Sequence, residues 1–215
     1  MIGIEGMTGV GKTTLALNLI RENENMLMLE MSKLHGLIVE KIVNDNIDQD
    51  EMISYVEGLL TAISYKVIDK QVEFYFTCGD TCRNKIDIKR LKIKVLYFFP
   101  LLGSIINKKL KEIMDIEILN ATIVYVGRDI SALYSELDYH FTLIADINTR
   151  YERLQKRDNY SGIEFYEREK LEKIIARSQD TLEIDTTDLS KEDTLKKANQ
   201  IIKWGGNYEQ ENNQS

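Results

Sequence analysis

Apolar and polar positions follow two different periods along the chain, and the periods take turns. Ile2–Glu5 is a short apolar run of strand length, and from Lys12 to about Glu24 the residues Leu15, Leu17, Leu19 and Ile20 give a helical stretch its apolar surface. Met26–Glu30 is a second short strand. Helical spacing returns over Ser32–Val43 and again from Asp50 to about Val72, where Ile53, Val56, Leu60, Ile63 and Val67 mark one face. The pattern therefore predicts a long helical middle. Residues 73–121 are mixed, with Glu73–Cys78 strand-like and Leu91–Ile106 interleaving lysines with large apolar side chains.

Regularity resumes at Ala121–Val126, a buried strand by its β-branched content, and Tyr139–Ala145 is another. A helix bearing Arg150, Arg153 and Arg157 follows, then a helix over roughly Gly162–Ser178, a last strand at Thr181–Ile184 and a last helix at Ser190–Trp204. Ser190 is the expected N-cap of that helix, with Asp193 at N3 in place of the usual Glu. The polar segment Gly205–Ser215 is expected to be a disordered tail. Strands alternating with helices predict α/β layering around a parallel sheet.

Bulk properties narrow the partners. A chain of 215 residues with 43% hydrophobic content can bury the core of one domain, and a net charge of −7 argues against non-specific nucleic-acid binding. Cys78 and Cys82 stand in a C-x-x-x-C spacing, one residue longer than a redox pair, with no second pair to complete a zinc site, so they read as reduced thiols. The first strand begins at Ile2 and leaves no room for a signal peptide, and the longest apolar run, Val95 to Ile106, contains Pro100 and Gly103 and falls short of a membrane span. A cytoplasmic protein without membrane partners is expected, as monomer or homodimer.

The candidate chemistry begins in Gly6-Met7-Thr8-Gly9-Val10-Gly11-Lys12-Thr13-Thr14, a G-x-x-x-x-G-K-T loop between a strand and a helix. Its glycines let backbone N–H groups turn inward, and the positive end of the following helix adds to them, so the loop is suited to a polyphosphate. Lys12 is placed to reach the β- and γ-phosphates and the Thr13 hydroxyl to bind Mg²⁺. Ligands of α/β proteins lie at the carboxyl ends of the parallel strands, which singles out Arg128 and Asp129 after the strand 121–126. Asp129 is a carboxylate for the metal or its waters, and the Arg128 fork suits an anionic substrate. Asp146, after the next strand, reads as a helix N-cap. Arg150, Arg153 and Arg157 share one helical face ahead of the polar loop Asp158–Gly162, with Arg168 and Arg177 beyond it. That order suits a lid that closes over a transferring phosphoryl group.

Together Gly6–Thr14, Gly127-Arg128-Asp129-Ile130, Arg153–Arg157 and Ile184–Ser190 resemble the P-loop nucleoside monophosphate kinases, with echoes of cytidylate kinase and thymidylate kinase, the latter also in Phe165-Tyr166-Glu167-Arg168. The resemblance covers the first 30 residues and roughly 121–203. It implies a three-layer αβα P-loop fold with five parallel strands in the order 2-3-1-4-5, and a helical lid. One kinase domain would then span 1–204, with an acceptor-side helical region at about 31–120 and the lid at about 150–178. It implies ATP and Mg²⁺, with Lys12 and Thr13 on phosphate and metal, Arg128 and Asp129 facing the acceptor, and Arg153 against the adenine. Arg157 and Arg168 would bind phosphates in the closed lid, and Thr187–Leu189 would line the adenine pocket. The acceptor-binding insert of cytidylate kinase and the Arg-Glu-Pro segment of thymidylate kinase are missing from residues 31–120.

The expected activity is ATP-dependent phosphoryl transfer to a nucleotide, in first place a (deoxy)pyrimidine monophosphate. Glu30 keeps an alternative open. A deoxynucleoside kinase needs a general base at the end of the second strand to deprotonate a sugar hydroxyl, whereas a monophosphate acceptor attacks through an oxygen that is already anionic. A third reading is an NTP-dependent switch docking through Lys85, Lys89, Arg90, Lys92 and Lys94 beside Leu96–Phe99.

Overall fold

The computed structural model describes residues 1–77, 88–117, 121–128, 130, 137–173 and 181–212. Cys78, Cys82, Lys85, Asp129 and Arg177 lie outside the described residues, as do the side chains of Lys89 and Arg90. The strands are β1 (Ile2–Glu5), β2 (Met26–Glu30), β3 (Ile63–Ile68), β4 (Gln71–Phe76), β5 (Thr122–Gly127), β6 (Tyr139–Ile144) and β7 (Leu182–Asp185). The helices are α1 (Lys12–Glu22), α2 (Met31–Asn44), α3 (Met52–Thr61), α4 (Ile88–Glu117), α5 (Ile147–Asp158), α6 (Gly162–Glu172) and α7 (Lys191–Asn212).

The strands form one seven-stranded sheet in the order β3-β4-β2-β5-β1-β6-β7. This corrects the expected five-stranded, all-parallel sheet. Strands β2, β5, β1, β6 and β7 are parallel neighbours, but β4 joins the free edge of β2 in parallel and β3 returns antiparallel to β4 from Ile63↔Phe76 to Ile68↔Gln71. The hairpin occupies the stretch where the helical spacing of Ile53 to Val67 predicted one continuous helix. Helix α3 stops at Thr61, and Ile63–Phe76 forms two strands joined at Asp69 and Lys70, whose φ angles are 49° and 63°. Two consecutive left-handed residues are what a tight hairpin turn requires, and Asp tolerates that region better than most residues.

Period-two alternation on the central strands divides the core. Ile2 and Ile4 of β1, Val124 and Val126 of β5 and Phe141 and Leu143 of β6 pack with Leu15, Leu19 and Ile20 of α1 and Ala198 of α7. Ile123 and Tyr125 of β5 face the other way, onto Leu34, Ile38 and Ile42 of α2, Val56 and Leu60 of α3 and Leu102 and Ile106 of α4. Helices therefore cover both sides of the sheet. A small third cluster, Leu154, Tyr160 and Phe165, joins α5 to α6. Helix α4 is one continuous helix through Leu91–Ile106 even with Pro100 inside it, and α7 carries on past Trp204 to Asn212. Among the described residues no helix is long and apolar enough to cross a membrane.

Candidate active site

The loop between β1 and α1 is held open by its glycines. Gly6 and Gly9 have φ of 136° and 90°, and a Cβ on Gly6 would lie 2.3 Å from the Leu143 carbonyl oxygen, so neither position accepts a side chain without moving the loop. Gly11, also left-handed, is the N-cap of α1, and no side chain caps that helix or places a carboxylate in its first turn. The helix N-terminus thus keeps the character of an anion site. Lys12 folds back over the loop and donates from Nζ to the Gly6 and Met7 carbonyls at 2.7 and 2.8 Å. Burial, reinforced by Arg128, pushes the Lys12 ammonium down to about 7. Beside it, Thr13 donates to Glu30 Oε1 at 3.4 Å, and Ser32 donates to the same oxygen at 3.0 Å.

Two arginines far apart in sequence meet at Thr8. Arg128, just past the end of β5, donates to Thr8 Oγ1 at 2.8 Å and to Glu172 Oε1. Arg168, on α6, donates from Nε to Thr8 Oγ1 at 2.9 Å and Glu172 Oε1 at 3.0 Å, and from Nη1 to the Tyr160 hydroxyl at 2.9 Å. Glu172, whose side chain is 2% exposed, also accepts from the Thr8 backbone N–H at 2.8 Å and from the Thr8 hydroxyl. Burial alone would raise the Glu172 carboxyl. Arg128, Arg168 and Lys12 outweigh it and hold the group well below the usual carboxylate range.

Helix α5 carries the three arginines, and each meets a different environment. Arg150 is buried in a two-pronged pair with Glu169 of α6 at 3.1 and 2.5 Å, which fastens the two helices together. Arg153 donates to the Thr186 carbonyl at 2.6 Å, the Thr186 hydroxyl at 3.1 Å and the Gly9 carbonyl at 3.3 Å. Arg157 is mostly exposed and pairs with Asp158 at 2.6 Å. Asp146 is the N-cap of α5, accepting from the N–H groups of Asn148 and Thr149.

Two cavities lie near the loop, one lined by it and one by residues that hydrogen-bond to it. One, of about 550 Å³, is bounded by Gly9, Val10, Gly11 and Thr14 on the loop side, Arg153 and Arg157 of α5, and Thr186, Leu189 and Ser190. The other, of about 640 Å³, brings together Glu30, Arg128 and Arg168 with Lys33, Glu40, Leu37 and Val95, and β4 closes it with Glu73 and Phe74. Lys33 spans part of that wall, pairing with Glu73 at 2.5 Å. Every site residue predicted from sequence and described here lines one of these spaces or the loop between them, with one exception. Thr187 donates to Asp185 Oδ1 at 2.6 Å, and it is Thr186 that lines the first cavity. Glu172 and Tyr160 were not foreseen. The only sequence signal for Glu172 is its i,i+4 spacing from Arg168.

Among the described residues no group of three or more His, Cys, Asp or Glu is arranged to hold a metal. A magnesium ion on a nucleotide takes few protein ligands, and the Thr13 hydroxyl, which donates to Glu30, is an oxygen donor of the kind it uses.

No protein-family model and no curated protein matches the chain. Among solved structures, TT1252 from Thermus thermophilus is similar over 94% of this chain and 94% of that one, with a TM-score of 0.53 at 16% identity. At that identity the likeness shows a shared fold.

Proposed function

We propose that the protein is an ATP·Mg²⁺-dependent phosphotransferase of the nucleoside monophosphate kinase kind, with a (deoxy)pyrimidine monophosphate as its foremost acceptor. The observation that carries this reading is a pair of cavities beside the loop, one lined by Gly9, Gly11, Arg153, Arg157 and Thr186 and the other by Glu30, Arg128 and Arg168, which hydrogen-bond to Thr13 and Thr8 of the loop. A protein that only bound and hydrolysed a nucleotide would need the first. Phosphoryl transfer asks little covalent chemistry of a protein, and positioning plus charge neutralisation supply most of the rate. In this reading the triphosphate lies along the loop with its base toward Arg153. The acceptor's phosphate faces Arg128 and Arg168, and one of its oxygens takes the terminal phosphoryl group as ADP departs. Thr13 would hold Mg²⁺ together with water, and the ion would supply charge neutralisation between the donor's phosphates. Asp129 would add a carboxylate to that metal in the reading from sequence.

A coupled ADP-release assay across nucleosides, nucleoside monophosphates and unrelated hydroxyl compounds tests the proposal. Release that depends on a monophosphate and on Mg²⁺ is the expected result, and no acceptor-dependent release from any nucleotide or nucleoside overturns it. Glu30 on the wall of the second cavity favours the deoxynucleoside kinase as the competing reading. Glu30→Gln separates the two. A general base lost costs about 10²–10⁴-fold in turnover, whereas a monophosphate acceptor, already ionised, loses no proton-transfer step.

A further inference from the structure

The carboxylate of Glu172 is held by a donor set made for another anion. It takes the backbone N–H of Thr8 at 2.8 Å, the Thr8 hydroxyl, Arg128, and Arg168 at 3.0 Å, and it lies in the field of Lys12. Loop N–H groups, two arginine forks and a lysine are the means by which proteins hold phosphoryl oxygens. Two arginines face this one buried carboxylate, with Lys12 close by, so the cluster carries positive charge in excess of what Glu172 neutralises. That excess matches an anion with more charge than a carboxylate. Glu172 is the last residue of α6, and Lys173 beside it is exposed, so the carboxylate stands at a helix end rather than inside a helix.

We infer that Glu172 is a resident counter-ion of the phosphoryl site, holding Thr8, Arg128 and Arg168 together while no ligand is present and giving up those donors to the phosphate that arrives. This rests on the nucleotide reading above and deepens it. It assigns Glu172 to setting the affinity for phosphate, with no part in the transfer step itself. The cluster then trades one anion for another, and the arginines are never left buried without a partner.

Calorimetric titration of full-length wild type and Glu172→Gln with MgATP and with inorganic tripolyphosphate tests the inference. The amide keeps the size and an acceptor oxygen but removes the competing charge. One charge-assisted hydrogen bond is worth roughly a factor of ten in affinity, so Glu172→Gln should bind both ligands about tenfold more tightly. Unchanged or weaker binding by a folded variant overturns the inference and leaves the nucleotide reading intact. Absence of MgATP binding by the wild type overturns both. Should the variant not fold, carboxyl-¹³C NMR of the wild type decides. The Glu172 resonance is expected to titrate below the usual carboxylate range when free and within it under saturating tripolyphosphate. An unmoved titration means that the carboxylate stays in place, and the inference is wrong.

Discussion

Lys12 is the group whose charge state should be most visible in binding. Burial and the neighbouring Arg128 bring its ammonium down to about 7 in the free protein, although Glu172 and Glu30 pull the other way. A bound polyphosphate adds several negative charges beside it and returns it to a fully protonated amine. Binding is therefore coupled to proton uptake, and affinity must fall as pH rises through the free-protein value. With a midpoint at about 7, the protonated fraction is about one half at pH 7 and about one hundredth at pH 9, so the apparent affinity should drop roughly 50-fold between them. Above pH 7 the terminal phosphate is already almost fully ionised and does not confound the comparison. Isothermal titration of MgATP in two buffers of different ionisation enthalpy reads the proton count directly, and about 0.9 proton should be taken up per ligand at pH 8. Lys12→Met should bind weakly and lose the pH dependence. Affinity that stays flat from pH 7 to 9 in the wild type would refute the argument.

The same residue gives the first of three further predictions, with the sign reversed. The unfolded chain keeps the Lys12 proton to about 10.5 and the folded chain releases it near 7, so between those values the unfolded state binds more protons and this group's contribution to stability rises with pH. Lys12→Met should raise the melting temperature of the ligand-free protein at pH 7, by about 2–4 °C for each kcal/mol of relieved burial, and the gain should fade toward pH 10. A scanning-calorimetry series in which the variant is less stable at pH 7 contradicts it. Arg150→Met leaves Glu169 buried without its partner and should cost about 3–5 kcal/mol in urea unfolding, most of it recovered by adding Glu169→Leu; a loss under about 1 kcal/mol means that the pair does not tie α5 to α6. Arg153→Ala removes the contacts to Thr186 and Gly9 and should raise the KM for ATP about tenfold while leaving that for the acceptor unchanged, and Lys should not rescue it because the planar fork is lost. Equal effects on both substrates would place Arg153 elsewhere in the cycle.

What the sequence revealed and what it hid differ in range. The G-x-x-x-x-G-K-T loop is a contiguous motif whose glycines are dictated by local backbone geometry, so Gly6, Gly9, Gly11 and Lys12 could be read directly. Arg128 and Glu30 follow because strand ends are where parallel sheets gather ligands. The hairpin was hidden by an accident of spacing, since Ile63 and Val67 continue the helical series of Ile53, Val56 and Leu60 while the same residues also alternate with Ser64 and Lys66. Its turn, Asp69-Lys70, lacks the glycine that usually announces such a bend. Glu172 was invisible for another reason. It meets Thr8 across 164 positions of chain, and nothing local marks a glutamate near a helix end as a counter-ion for two arginines. Thr186 and Thr187 are adjacent and identical, and only the exit of β7 decides which one faces the cavity.

Strands β3 and β4 attach to the sheet at its β2 edge through the single registered pair Met28↔Gln71, assisted by Lys33 reaching Gln71 and Lys70 reaching the carbonyls of Ile20 and Asn23. Yet β4 supplies Glu73 and Phe74 to the cavity beside Glu30. Substitutions along this add-on ribbon can therefore remodel what that cavity accepts without disturbing Gly6–Thr14, the β1 strand or the arginine helices. The glycine loop and the arginine helices can be handed down intact while the ribbon drifts, and two descendants of one such chain can come to present differently shaped cavities.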